Sequence, residues 1–226
     1  MGGDAPQLTA LRRAVTEADK ASRRADILSA AKQVFAERGY HATTVADIAR
    51  QADLSYGSIY WYYDSKEALF HELMSAEAAS LRAFINGAAR STAASDGPAA
   101  PLQAAVRATL EFYEADSALV KLLFRDAFAL GAAFEQHLDA IHASFVEDAE
   151  RLVLLAQSKG AVVEGPPKMI AFAITALVGQ LAHRRLTCDD GLSATVAAGF
   201  VVELLLDGLR PRTGRLVDEQ RAAAQA

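Results

Sequence analysis

Apolar residues recur at helical spacing along almost the whole chain, and no stretch alternates apolar and polar long enough to make a strand. Gly and Pro fall at a few places that cut the chain into segments, so the pattern predicts an all-α fold. Residues 22–38 put Ile27, Leu28, Ala31, Val34 and Phe35 on one stripe, with Ser22 as the expected N-cap and Gly39 as a left-handed stop. Residues 1–21, polar and Ala-rich with Arg12, Arg13 and Lys20, are expected to form a mobile or partly helical arm. Thr44 is placed to cap a short second helix over 45–51, with Asp47 in its first turn where the helix dipole favours negative charge. A tight turn, Ala52-Asp53-Leu54, leads to Ser55, the expected cap of a third short helix that runs to about Trp61 with Ile59 facing inward. A fourth helix opens at Ser65 and continues to about Arg90.

The stretch 91–101 (STAASDGPAAP) is the clearest break in composition and reads as a linker. Beyond it the pattern predicts helices over roughly 102–115, 117–130, 132–159, 167–186 and 193–209. In the last of these, Val201, Val202, Leu204, Leu205 and Leu206 point in nearly every direction around the axis. Such a helix needs cover on most sides, and a second copy related by a two-fold axis supplies it economically. Ile170, Ile174, Leu177, Val178 and Leu181 present a similar excess one helix earlier, so 167–186 and 193–209 are the expected homodimer surface; a purely internal core is the alternative.

Composition narrows the function classes. Of 226 residues, 52% are hydrophobic and 23% charged, which is ample for a core; the net charge of −5 means that any nucleic-acid contact must come from a local patch. One cysteine, Cys188, excludes an internal disulfide or a Cys-based zinc site, and Asp189 and Asp190 beside it disfavour a reactive thiolate. His137 and His142 are spaced off a common helical face, which argues against metal ligation, and no cofactor is implied. The N-terminus has no apolar leader and no apolar run approaches the ~20 residues that cross a bilayer, so a cytoplasmic location without membrane contact is expected. No Gly-x-Ser-x-Gly, His-Glu-x-x-His or Gly-rich phosphate loop is present, which speaks against an enzyme.

Two short helices joined by a brief turn and preceded by a longer one meet the requirements of a helix-turn-helix: one helix braces, and the next offers its N-terminal end to the major groove. Ser55, Tyr56, Gly57 and Ser58 at that end are small or hydrogen-bonding. The run Tyr60-Trp61-Tyr62-Tyr63 spans the circle of a helix end, so some of its rings must face out beside Lys66; core packing or a protein interface is the competing reading.

Over residues 26–70 the segment GYHATTVADIARQADLSYGSIYWYYDSKEALF and the helix before it resemble the N-terminal signature of the tetracycline-repressor (TetR) family of bacterial regulators. The resemblance implies an N-terminal three-helix DNA-binding domain followed by a larger helical domain for ligand binding and dimerisation. It implies phosphate contacts by Thr44, Tyr60, Tyr62 and Lys66, base-edge contacts by Tyr56, Gly57 and Ser58 after the Ser55 cap, and a flanking Trp61. Asp53 stands where the family often has Gly, and Tyr62 where a His is common, which leaves the operator sequence open. The expected division is an arm at 1–21, the helix-turn-helix domain at 22–66, the sensor and dimer domain at 67–210 and a tail at 211–226.

The expected effector pocket is lined by Phe112, Leu122, Phe128, Phe145 and Phe172, with Arg125, His142, Gln180 and His183 as its polar groups. The stretch LFRDAFALGAAFEQHLDAI is loosely similar to the sensor helices of fatty-acid-degradation repressors of the same family, implying an acyl-CoA-like or drug-like ligand with Arg125 near its polar part. Together these expectations describe a repressor, released from double-stranded, palindromic operator DNA when a small apolar effector shifts the fourth helix. A pure interaction protein that has lost DNA binding is the remaining alternative, kept open by Asp53 and the acidic charge.

Overall fold

The computed structural model describes residues 5–116, 118, 122, 131–188 and 191–209. Among them the chain is helical throughout, with no strand: α1 (Ala5–Arg38), α2 (Val45–Gln51), α3 (Tyr56–Tyr60), α4 (Lys66–Arg90), α5 (Ala100–Ala115), α6 (Ala132–Ser158), α7 (Pro167–Thr187) and α8 (Ala194–Leu209). A short 3-10 turn, Ala94–Asp96, interrupts the linker between α4 and α5. Most of the expected helix at 117–130 lies outside the described residues.

One expectation at the N-terminus is overturned. α1 does not begin at Ser22 but runs unbroken from Ala5, and Ser22 is an exposed mid-helix residue. The physical reason is that 5–21 is rich in Ala, with Leu, Arg, Gln, Glu and Lys among the rest, and contains Pro only in its first turn, where helices tolerate it. A polar composition without an interior Gly or Pro is no stop signal. The other boundaries follow the punctuation: Gly39, Gly131, Gly160 and Gly191 all take positive φ.

Two compact units divide the chain. The first, 1–77 with 121–137, encloses Ile27, Ala31, Val34, Phe35, Ile48, Ile59, Leu69, Phe70, Leu73, Leu122 and Phe134. Phe35 meets Phe70 edge-on at 4.9 Å and stacks on Tyr40 at 5.7 Å, so the ends of α1 and α4 close over the turn between α1 and α2. Here Lys32 pairs with Glu77 at 2.8 Å, and Arg24 bridges Glu72 while lying over the Tyr63 ring.

The second unit, 78–120 with 138–226, is built on α5, which packs against α7 and α8. Its core joins Leu102, Val106 and Leu110 of α5, Val146 and Val153 of α6, Ala171, Ile174 and Val178 of α7, and Val201 and Val202 of α8. Asp148 is buried and accepts hydrogen bonds from Arg82 Nε (2.7 Å), Arg82 Nη2 (3.0 Å) and Asn86 Nδ2 (3.2 Å), with Arg151 also in contact. Burial would raise its pKa, but these hydrogen bonds and the positive charges of Arg82 and Arg151 outweigh that and hold it below the usual carboxylate range.

Among the described residues no helix is long and apolar enough to cross a membrane, and no group of His, Cys, Asp and Glu is arranged to hold a metal.

Candidate nucleic-acid interface

α2 and α3 are too short to persist alone, and each is held by a cap and a buried anchor. At the start of α2 the Thr44 hydroxyl accepts from the Asp47 amide at 3.2 Å, while the Asp47 carboxylate accepts from the Thr44 amide at 3.1 Å and its hydroxyl at 2.6 Å. This is a closed capping box. The two Thr44 hydrogen bonds, and after them the charges of Arg38 and Arg50, bring the Asp47 carboxyl down to about 2. Val45, Ile48 and Ala49 are buried beneath it.

The turn closes by a Schellman arrangement: the Leu54 amide donates to Ala49 O at 2.8 Å and the Asp53 amide to Arg50 O at 3.3 Å. Asp53 takes φ 54°, the left-handed conformation that its short polar side chain tolerates better than most. The residue that departs from the family pattern therefore keeps the backbone path. Ser55 then caps α3, accepting from the Ser58 amide at 3.1 Å. Ile59 is 1% exposed, and its burial anchors the helix by about 1.5–3 kcal/mol.

With Ile59 fixed inward, the rest of α3 faces out. Tyr56 is 56% exposed, Tyr60 42% and Trp61 89%; Ser55 and Gly57 are exposed, and Ser58 and Tyr62 half-buried. Tyr56 and Tyr60 form one unit, their rings 5.1 Å apart and their hydroxyls hydrogen-bonded at 3.0 Å. That bond, with some desolvation, raises the Tyr60 phenol above its ordinary value, so it stays protonated at neutral pH. A Cβ placed on Gly57 would meet no atom within 4 Å, so nothing in this chain's own packing requires glycine there. The α3 segment YGSIY contains no acidic or basic side chain.

Lys66 behaves differently from its neighbours. Its Nζ donates to the backbone carbonyls of Tyr40 and Thr43, both at 2.8 Å, and lies 4.3 Å from the Tyr40 ring centroid. Burial lowers its pKa. Sequence reasoning missed Tyr40 and Thr43 here; the buried Thr43, whose hydroxyl donates to Gly39 O at 2.7 Å, carries no pattern that marks it. It also missed the pairing of His71 with His137, whose rings lie 4.7 Å apart beside Phe134, because no helical spacing links residues on two helices.

Leu122 is fully buried in the first unit, whereas Phe112, His142, Phe145, Phe172, Gln180 and His183 belong to the second; Arg125 and Phe128 lie outside the described residues. Phe112 packs against Phe84, and His142 sits edge-on to Phe172 at 5.8 Å. Phe172 is 50% exposed and Gln180 is also exposed. Ile174 and Val178, expected at a subunit contact, are instead inside the core of their own unit, and Ile170 and Leu181 pack against it.

Residues 27–73 match the family described as bacterial regulatory proteins, tetR family. The HTH-type transcriptional repressor KstR2 of Rhodococcus jostii is 47% identical over 55 residues, covering 24% of this chain and 27% of that protein. The HTH-type transcriptional activator FasR of Mycolicibacterium smegmatis is 33% identical over 106 residues, 47% of each chain. These alignments span less than half the length of either relative. The crystal structure of FadR from Bacillus subtilis in complex with stearoyl-CoA shares the fold, with a TM-score of 0.74 over 82% of this chain and 98% of that one at 20% identity. The capped, docked α2–turn–α3 lies within the segment that matches the tetR family of bacterial regulatory proteins.

Proposed function

We propose that this protein is a dimeric transcriptional regulator that reads a palindromic operator with the outer face of α3 and lets go when an apolar, acyl-CoA-like ligand binds. The observation that carries the DNA-binding reading is the pairing of a fully buried Ile59 with exposed Tyr56, Gly57, Tyr60 and Trp61 on one short helix. A helix held firmly from behind and bare in front is what groove recognition needs. Tyr56 and Ser58 read base edges, Gly57 permits close approach, and Tyr60, Trp61 and Tyr62 flank the sugar-phosphate backbone. Thr44 reaches a phosphate beside its capping role.

Dimerisation through α7 and α8 is supported by an outward stripe that their own unit leaves bare. Val196, Phe200 and Leu204 recur every fourth residue of α8 and are exposed, as are Met169, Phe172 and Leu177 of α7. A contiguous apolar face of this kind marks an interaction surface, and a two-fold copy covers both stripes at once. The FadR likeness, in a structure that holds stearoyl-CoA, supports an acyl-CoA-like effector. Release by that effector makes the protein a repressor, as KstR2 is named.

The test is a fluorescence-anisotropy titration of a labelled duplex carrying the region upstream of the protein's own gene, over a range of salt. Specific, salt-dependent binding that Tyr56→Ala relaxes in sequence preference and that long-chain acyl-CoA abolishes is the expected result. Tyr56→Ala with every base preference intact would remove the base-contact assignment, and indifference to acyl-CoA would remove the effector class.

A further inference from the structure

Lys66 stands at the first turn of α4, where the unpaired amides and the helix dipole already make the surroundings positive. A cation there is mildly disfavoured, and hydrogen-bond acceptors beside it offset that. The chain supplies two carbonyl oxygens and an aromatic face, all from the turn between α1 and α2: Tyr40 O, Thr43 O and the Tyr40 ring. The turn is otherwise held by its own backbone, the Thr43 amide donating to Tyr40 O at 3.3 Å, and by the Tyr40 ring. Gly39 leaves α1 at φ 85°, Thr43 bonds back to Gly39 O, and the next residue, Thr44, is the N-cap of α2.

We propose that Lys66 is a positioning residue of the DNA-binding module: its ammonium pins the Tyr40–Thr43 turn to the start of α4, and so sets where α2, and α3 behind it, begin. In this role it touches no phosphate. Of its three N–H donors two are committed to carbonyls, and Tyr40 covers part of the cation. Tyr40 is itself packed between Phe35 and Phe70, so the ammonium is tied to the core and not to a loose loop. The inference rests on the DNA-binding reading for its consequence, but its structural half stands without DNA.

The experiment uses the full-length protein and Lys66→Met, which keeps the length of the side chain and removes its donors. Without DNA, hydrogen exchange at the amides of Thr43 to Asp47 is expected to speed up by about tenfold or more, as follows when hydrogen bonds from a charged donor are lost. Lys66→Arg, which can still donate to both carbonyls, restores the protection. With the upstream-region duplex, affinity falls at every salt concentration while the slope of log K against log salt stays as in the wild type; a lost phosphate contact would instead make it shallower by about 0.9. Unchanged exchange together with that shallower slope overturns the proposal. If the Met variant does not fold, the lysine ammonium resonances of the wild type decide. A Lys66 signal shielded from solvent and unmoved by the duplex supports positioning, and one that shifts on adding the duplex refutes it. Should the wild type bind no duplex, the DNA-binding reading fails, and the exchange arm alone still judges Lys66.

Discussion

Replacing Gly57 by Ala separates what α3 does for the fold from what it does for a partner. Glycine in a helix costs about 0.5–1 kcal/mol relative to alanine, and at Gly57 the added methyl would meet nothing within 4 Å. Gly57→Ala is therefore expected to stabilise the free protein, by about 0.5 kcal/mol or somewhat more in a first turn, equivalent to roughly 1–3 °C in Tm for a chain of this size. On DNA the sign reverses. If bases or the sugar-phosphate backbone close on Gly57 to van der Waals distance, the methyl takes the space of that contact, and a loss of tenfold or more in affinity, about 1.4 kcal/mol, is expected. Gly87 in α4 is the comparison, because a Cβ there also meets nothing within 4 Å. Gly87→Ala should stabilise at least as much and leave DNA affinity alone. Calorimetry and anisotropy titration of both variants make the measurement. A Gly57→Ala protein that binds as tightly as the wild type would refute the close-approach assignment, and one that melts lower would refute the open geometry itself.

Asp148→Ala strands Arg82 and removes the hydrogen bond from Asn86 as well, so it should cost about 2 kcal/mol by urea denaturation, discounted because Arg82 is partly exposed. Phe200→Glu puts a charge in the middle of the outward α8 stripe and should turn the proposed dimer into monomer in sedimentation at micromolar concentration, with no loss of helical signal. Burial, and after it the charge of His71, lowers the His137 pKa below 6.5. The unfolded chain therefore takes up the proton first, and stability should fall as pH drops below about 6.5. His137→Gln should flatten that slope, and an unchanged slope would show that other groups carry it.

What the sequence revealed depended on whether the controlling physics was local. Caps, turns and stops were legible because each is decided within a few residues: Thr44 on Asp47, Ser55 on Ser58, the left-handed Gly39 and Asp53. The outward face of α3 was legible for the same reason, since one inward Ile59 fixes the rest. Sequence alone could not say what a side chain meets across space. Lys66 reads as a free surface cation until the Tyr40 and Thr43 carbonyls come to it, and nothing local shows that Phe172 is half exposed on α7. The start of α1 failed differently. Polar residues suggest an arm, although helix propensity and the lack of an interior breaker favour a continuous helix.

YGSIY carries no charged side chain, and under the proposed DNA-binding role that divides labour among residues. On that reading the Tyr56 phenol, the Ser58 hydroxyl and the bare backbone at Gly57 choose among base pairs, and none of them adds to the long-range pull of a polyanion, which must come from cations elsewhere on the surface. Substitutions that retune the chosen sequence can then accumulate without disturbing how fast or how strongly the protein is drawn to a duplex of any sequence. Duplicated copies of such a gene could diverge in target while keeping the same tolerance to cellular salt.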